Sequence, residues 1–314
     1  MTSKLAQGTR RDFLAGAAAI GIAATTGGAG RAASSDAQTE IMKREVPSTR
    51  EALPAIGLGT WITFNIGSDP KLRAARTDVL RGFVDAGGRM VDSSPMYGTS
   101  EEVIGHCLKE MGGARSLFSA TKVWTMFEGF GITQMERSMQ LWGLERFDLM
   151  QIHNLLDWDT HIRTLKAWKA QGRIRYLGIT TSHGRRHDDF ARIMRNEPLD
   201  FVQFTYNILD REAEKRLLPL AAERGQAVII NRPFRTGDLF DRFDKHPLPE
   251  WASEFDASNW AQFLLKFVIS HPAVTCAIPA TSRLDHLKEN MSALHGRLPD
   301  AKMRERMVRY VESL

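Results

Sequence analysis

The sequence predicts an α/β fold: eight parallel strands, each followed by a helix, closing into a (β/α)8 TIM barrel. Three observations carry this. Eight short β-like runs alternate with runs of helical period from Pro54 onward. Several of the runs end in a polar residue, namely Asp92, Lys122, His153, Thr180 and Asn231, and a barrel gathers its site at the carboxyl ends of its strands. The rival fold, an open doubly wound sheet, wants a glycine-rich phosphate turn after its first strand. GLGTW (57–61) has the first two glycines of that turn, but no third and no helix directly behind it.

The expected strands, in order, are AIGLG (55–59), RMVDS (89–93), LFSATKV (117–123), FDLMQIH (147–153), IRYLGIT (174–180), DFVQFTY (200–206), QAVIINR (226–232) and VTCAIP (274–279). Helices are expected over 71–86, 101–111, 133–142, 159–171, 186–196, 212–224, 254–271 and 283–294. In the first of these, Leu72, Ala75, Val79, Phe83 and Ala86 recur at helical spacing. In the second, Val103, Ile104, Cys107 and Leu108 do the same. The segment 230–250 is the longest irregular connection, and its Arg, Phe and Gly content suggests a loop folding over a ligand.

A chain of 314 residues, 43% hydrophobic, accommodates one such barrel with trimmings. The net charge is +5, but Lys4, Arg10, Arg11 and Arg31 against Asp12 place three of those charges within residues 1–32. The remainder is too nearly neutral to argue for nucleic-acid binding. Two cysteines, Cys107 and Cys276, form no disulfide framework and no metal site on their own. They read as buried small hydrophobes, with one disulfide possible in an oxidising compartment. No metal is expected.

The first residues are a different object. TRRDFLA (9–15) is followed by GAAAIGIAATTGGAG and then RAASS, with small residues suited to cleavage near Ala32 or Ala33. A basic start, an apolar middle and a small-residue end make a signal peptide. Arg10 and Arg11, with Phe13 and Leu14 behind them, resemble the twin-arginine export motif. The apolar run is short of the roughly 20 residues that span a bilayer, so no stable membrane insertion of the mature form is expected. The expected domains are a leader over 1–33, a polar tether over 34–48 and a barrel over 49–314. The expected location is periplasmic or otherwise exported, with the export machinery as a partner. A monomer or small homo-oligomer is expected.

The strand ends carry the chemistry. Asp92 and Tyr97 lie in VDSSPMYG, Lys122 in FSATKV and His153 in DLMQIHN. Such a set suits carbonyl reduction. Hydride adds to the carbonyl carbon, and the oxygen that gains charge needs a proton. A free tyrosine, near pKa 10, gives up a proton reluctantly at neutral pH. A buried cation beside it favours the phenolate and eases release. Asp92 would offset and orient Lys122, and His153 would bond the carbonyl oxygen and set its angle. Other histidines (161, 183, 187, 246, 271, 295) read as structural or exposed, and Asp148 as packing or turn chemistry.

At these residues the sequence resembles the aldo-keto reductase family. The matching motifs are GLGTW (57–61), VDSSPMYGTSEEVIG (91–105), ATK (120–122), the histidine of LMQIH (149–153) and IPATSRLDHLKEN (278–290). The resemblance implies the barrel fold and NADPH- or NADH-dependent reduction of an aldehyde or ketone, with Tyr97 as general acid. It also implies a dinucleotide laid over the barrel mouth. Gly59 and Thr60 border it, Trp61 walls the substrate pocket, and Gln203 bonds the carboxamide with Thr180 and Thr181 beside it. Asn231 stands where many members stack an aromatic ring. Arg232, Phe234, Gly237 and Leu239 lie in the covering loop. Pro279, Thr281, Ser282, Arg283, His286, Glu289 and Asn290 hold the adenosine end. Arg283 leans the expected cofactor to NADP over NAD. Loops around 61–68, 123–130 and 231–250 would shape the pocket, with Phe64, Trp124, Phe127, Phe130 and Trp158 making it apolar. Two alternatives to the enzyme are an exported barrel that binds a dinucleotide or metabolite without turnover, and a subunit that contacts a partner protein.

Overall fold

The computed structural model describes residues 41–113 and 117–314. The leader expected over 1–33 lies outside the described residues. Residues 41–48 of the expected tether are described, and they fold. Lys43–Glu45 (β1) pairs antiparallel with Ala52–Pro54 (β2), and Val46 and Leu53 are fully buried. Two apolar side chains with a core to enter outweigh the polar composition of the segment around them.

The remaining strands are β3 (Leu58–Gly59), β4 (Met90–Asp92), β5 (Phe118–Val123), β6 (Phe147–Ile152), β7 (Ile174–Thr180), β8 (Phe201–Thr205), β9 (Ala227–Asn231) and β10 (Cys276–Ala277). They form one sheet in sequence order, every pair parallel. Parallel bridges from Ile56 to Ala277 and from Gly59 to Ala280 join the first strand to the last. At that seam a Cβ on Gly59 would lie 2.7 Å from the carbonyl oxygen of Ile278. Only glycine lets the two backbones meet there.

Helices fill the connections: α1 (Pro70–Asp85), α2 (Ser100–Glu110), α3 (Glu128–Trp142), α4 (Trp158–Ala170), α5 (His187–Asn196), α6 (Glu212–Lys215), α7 (Leu217–Arg224), α8 (Asp238–Phe243), α9 (Trp260–Ile269), α10 (Leu284–Ser292) and α11 (Ala301–Glu312). α1 starts where Asp69 accepts from the amides of Lys71 and Leu72, with Pro70 in the first turn. It buries Val79, Leu80 and Phe83, whereas Leu72 on the expected apolar stripe is exposed. α2 buries all four residues that its period marks.

Several boundaries differ from expectation. α3 begins at Glu128, five residues early, because Gly131 lets the helix pass against the ring of His161. A Cβ there would lie 2.4 Å from that ring. The helix expected over 254–271 is a 3-10 turn (Glu250–Phe255) and then α9, started by Asn259 accepting from the Gln262 amide. The stretch 230–250 is not wholly irregular, since it contains α8. α11, unexpected, buries Met307 and Val311. Cys107 and Cys276 are both buried and free. Among the described residues no helix is long and apolar enough to cross a membrane.

Two cores result. The larger lies between the strands and the helices. The smaller fills the barrel and includes Met90, Phe118, Leu149, Tyr176, Phe201, Ile229 and Ile278, together with Val46 and Leu53 of the hairpin. Phe118, Tyr176 and Phe201 pack as a triad, with ring centroids 5.3–5.8 Å apart. Burying a ring of this size contributes roughly 1.5–3 kcal/mol. Side chains alternate along a strand, so the positions two and four residues beyond this apolar layer also face inward. Those positions carry the site.

Candidate active site

Asp92 ends β4, Lys122 is next to last in β5 and Gln151 lies on β6. His153 opens the 3-10 turn that follows β6. Tyr97 ends the 3-10 turn Pro95–Tyr97, which Ser94 caps by accepting from the Met96 amide at 3.2 Å. The closure of the barrel brings these separate segments together.

The Lys122 ammonium, with no exposed surface, donates to Asp92 Oδ1 at 2.5 Å and to the Ser93 carbonyl at 2.7 Å. It stands 5.2 Å from the Tyr97 ring centre. Burial opposes its charge, but Asp92 and Tyr97 more than offset that and hold its pKa above the ordinary lysine value. Asp92 accepts at Oδ2 from the side-chain amides of Gln151 and Gln203, each at 3.0 Å. A buried ion pair is costly unless its remaining hydrogen-bond capacity is filled, and here both carboxylate oxygens have donors.

Tyr97 corrects an expectation. Lys122 does draw its pKa down, but burial outweighs the cation, and Asp92 adds to the rise. The net shift is upward. Tyr97 therefore stays protonated through the neutral range and keeps its proton to give. His153 is pushed down to about 2 by burial and then by the charge of Lys122, so the imidazole is neutral. Ser94 Oγ bonds its Nδ1 at 2.8 Å, which leaves Nε2 for a ligand. The Tyr97 and His153 rings meet edge to face, with centroids 5.7 Å apart.

These groups open into a cavity of about 430 Å³, within the usual range for small-molecule sites. Tyr97, Asp92 and His153 line it, with Trp61, Ile62, Met96, Phe234 and Phe240 as apolar walls. Of the expected pocket aromatics, Phe64 is buried in the core and Trp158 packs against that core. Trp124, Phe127 and Phe130 are exposed and lie outside the cavity lining.

Of the expected cofactor positions, Gly59, Thr60, Thr180, Thr181, Gln203, Asn231, Arg232, Phe234, Gly237, Pro279 and His286 line the same cavity. Leu239 does not, because its side chain is buried in the outer core. Thr281, Ser282, Arg283, Glu289 and Asn290 also fall outside the lining, around the start and body of α10. There Arg283 is already engaged. Its Nε donates to Asp285 Oδ1 at 3.0 Å and a second guanidinium nitrogen meets Asp285 Oδ2. Several of the expected nicotinamide contacts are likewise spoken for. Thr180 Oγ1 accepts from the Asn154 amide, Thr181 Oγ1 donates to the Arg185 carbonyl, and Asn231 bonds Thr205, the Thr181 carbonyl and Gln203. Even so, a half-enclosed cavity with amides and hydroxyls beside Tyr97 and open backbone at Gly237 fits a nicotinamide dinucleotide at its reactive end. Nothing lies within 4 Å of where a Gly237 Cβ would stand.

Ser94 and Gln151 were not expected. Gln151 was within reach of the sequence: it sits two residues before His153, on the same face of the strand. Ser94 was not, because its partner is 59 residues away.

The profile described as "Aldo/keto reductase family" matches residues 55–306. The chain is 25% identical to methylglyoxal reductase YeaE of Escherichia coli, over 80% of this chain and 89% of that protein. It is 23% identical to the NADH-specific methylglyoxal reductase of Escherichia coli, over 83% and 96%. A crystal structure of an aldo-keto reductase from Klebsiella pneumoniae in complex with NADPH superposes with a TM-score of 0.73 at 24% identity, over 86% of this chain and 96% of that one.

Proposed function

We propose that this chain, which belongs to the aldo/keto reductase family, reduces an aldehyde or ketone to an alcohol with a nicotinamide dinucleotide. The observation that carries the proposal is Tyr97 beside the buried Lys122–Asp92 pair, lining one cavity with His153. The dinucleotide, when bound, supplies the hydride. The protein does the rest. His153 meets the carbonyl oxygen and sets its angle. Tyr97 breaks its O–H bond and gives the proton to that oxygen as charge develops there. Lys122 steadies the phenolate left behind. Thr180, Thr181, Gln203 and Asn231 would hold the nicotinamide end. The assembled tetrad favours turnover over binding alone.

The preferred dinucleotide is NADP. Arg283 offers a cationic group and His286 a ring donor at the first turn of α10, whose N-cap residue makes no side-chain cap. Asp285 competes for Arg283, which keeps the preference modest. Arg283→Ala is expected to weaken NADPH binding about tenfold, the size of one charge-assisted hydrogen bond at an exposed site. NADH binding should stay within about twofold. Fluorescence titration measures both, and equal losses would remove Arg283 from the phosphate site.

The protein works outside the cytoplasm, exported folded through the twin-arginine route on the strength of Arg10-Arg11 and the small-residue end of the leader. Intact mass spectrometry of protein from the exported fraction is expected to show a chain cut near Ala32 or Ala33. Finding only uncut chain, confined to the cytoplasm, would overturn the proposed address.

A further inference from the structure

Behind the catalytic group the barrel interior holds a row of three side-chain amides. Gln151 has no exposed surface and does not line the cavity. Its Nε2 donates to Asp92 Oδ2 at 3.0 Å, and its Oε1 accepts from Gln203 Nε2 at 3.2 Å. Gln203 donates to the same aspartate oxygen, and Asn231 donates to Gln203 Oε1 at 3.4 Å. Room for the row is made on β7. A Cβ on Gly178 would lie 3.3 Å from Gln151 Cγ and 2.7 Å from the Phe201 carbonyl oxygen.

A buried amide is expensive unless its groups are bonded. The position lies between its register partners Lys122 on β5 and Gly178 on β7, and its amide is fully buried and bonded there to Asp92 and Gln203. Gln151 therefore has a task, and its bonds say what the task is. A carboxylate held at one oxygen only can turn about its own bond. One held at both cannot. Gln203 lines the cavity, where the nicotinamide end would engage it, so Gln151 is the Oδ2 donor kept out of the cavity, and with Oδ2 held Oδ1 is presented to Lys122 beside the Tyr97 ring. We infer that Gln151 is a positioning residue for proton transfer, which fixes Asp92 so that Lys122 stays beside Tyr97. The inference rests on the carbonyl-reductase function proposed above.

The groups facing Tyr97 are Lys122 from β5, Asp92 from β4 and His153 beyond β6. Cys276 from β10 also faces Asp92. Of these, Lys122 alone carries a charge that lowers the tyrosine pKa. If Asp92 turns and draws Lys122 off, the tyrosine rises further and becomes a poorer acid.

The test is Gln151→Met, close in shape and length but without a donor. The expected result is a kcat at least tenfold lower, with aldehyde KM and dinucleotide Kd within twofold. The alkaline limb of the kcat–pH profile moves to higher pH. An unmoved limb with a folded protein, or an unchanged kcat, overturns the inference. So does a loss confined to KM and Kd. Gln151→Glu gives the second arm, because its neutral acid form keeps a donor for Asp92. Its kcat is expected to recover as pH falls, and a folded variant that never recovers speaks against the positioning role. Tyr97→Phe separates this outcome from failure of the function itself. If wild type and Tyr97→Phe turn over equally, the reductase proposal falls; if only the Gln151 arms fail, it stands.

Discussion

Tyr97→Phe is expected to lower carbonyl reduction by about 10²–10⁴-fold, the usual contribution of a positioned general acid. The substitution removes one oxygen and keeps the ring, so the edge-to-face contact with His153 survives. Lys122 keeps Asp92 and the Ser93 carbonyl. Dinucleotide affinity should therefore change by no more than about twofold. The loss is expected in kcat, because the proton is needed only as the carbonyl oxygen gains charge. Steady-state kinetics over a panel of aldehydes and ketones, with fluorescence titration of both dinucleotides, checks this. Equal turnover by wild type and variant across the panel would sink the acid role of Tyr97.

Lys122→Met is expected to cost about 3–5 kcal/mol of stability as well as activity, because it strands the Asp92 charge in a buried site. For a domain of this size that is a fall of roughly 6–20 °C in Tm. Asp92 would still have the amides of Gln151 and Gln203, but it would have lost its only salt bridge among the described residues. The double variant Asp92→Asn/Lys122→Met removes the charge and leaves a carbonyl oxygen for those amides. It should recover much of the stability, since a buried ion pair replaced as a unit is often neutral in cost. It should recover no activity, since nothing is left to steady the phenolate. Thermal unfolding of the three proteins decides the matter. A single variant as stable as wild type, or a double variant no better than the single, would show that the pair is not what holds this layer.

The eight barrel strands, most of the helices and the four tetrad positions were legible because they rest on local pattern, whereas α8 and α11 were not. A strand alternates its faces, a helix repeats near every fourth residue, and a polar residue ending an apolar run stands out in one dimension. Where local pattern was weak, it misled. KREV (43–46) reads as polar tether, and only Val46 and Leu53 entering the barrel's apolar layer make it a hairpin. Leu72 sits on the apolar stripe of α1 and yet faces solvent. Trp124, Phe127 and Phe130 looked like pocket walls and stand outside the cavity.

The sequence by itself determined which chemical groups the protein brings to the mouth of a barrel: a phenol, an ammonium, a carboxylate and an imidazole. The tertiary structure decided how each of them behaves. Burial outweighs the cation beside Tyr97 and raises its pKa where the sequence argued for a fall. Burial and then Lys122 keep His153 neutral while Ser94 bonds its Nδ1, Gln151 and Gln203 fix Asp92, and Asp285 occupies Arg283. The reason is that desolvation and the filling of hydrogen-bond capacity depend on every atom packed around a group. Most of those atoms come from strands far away in the chain, and only the closed barrel says which ones they are.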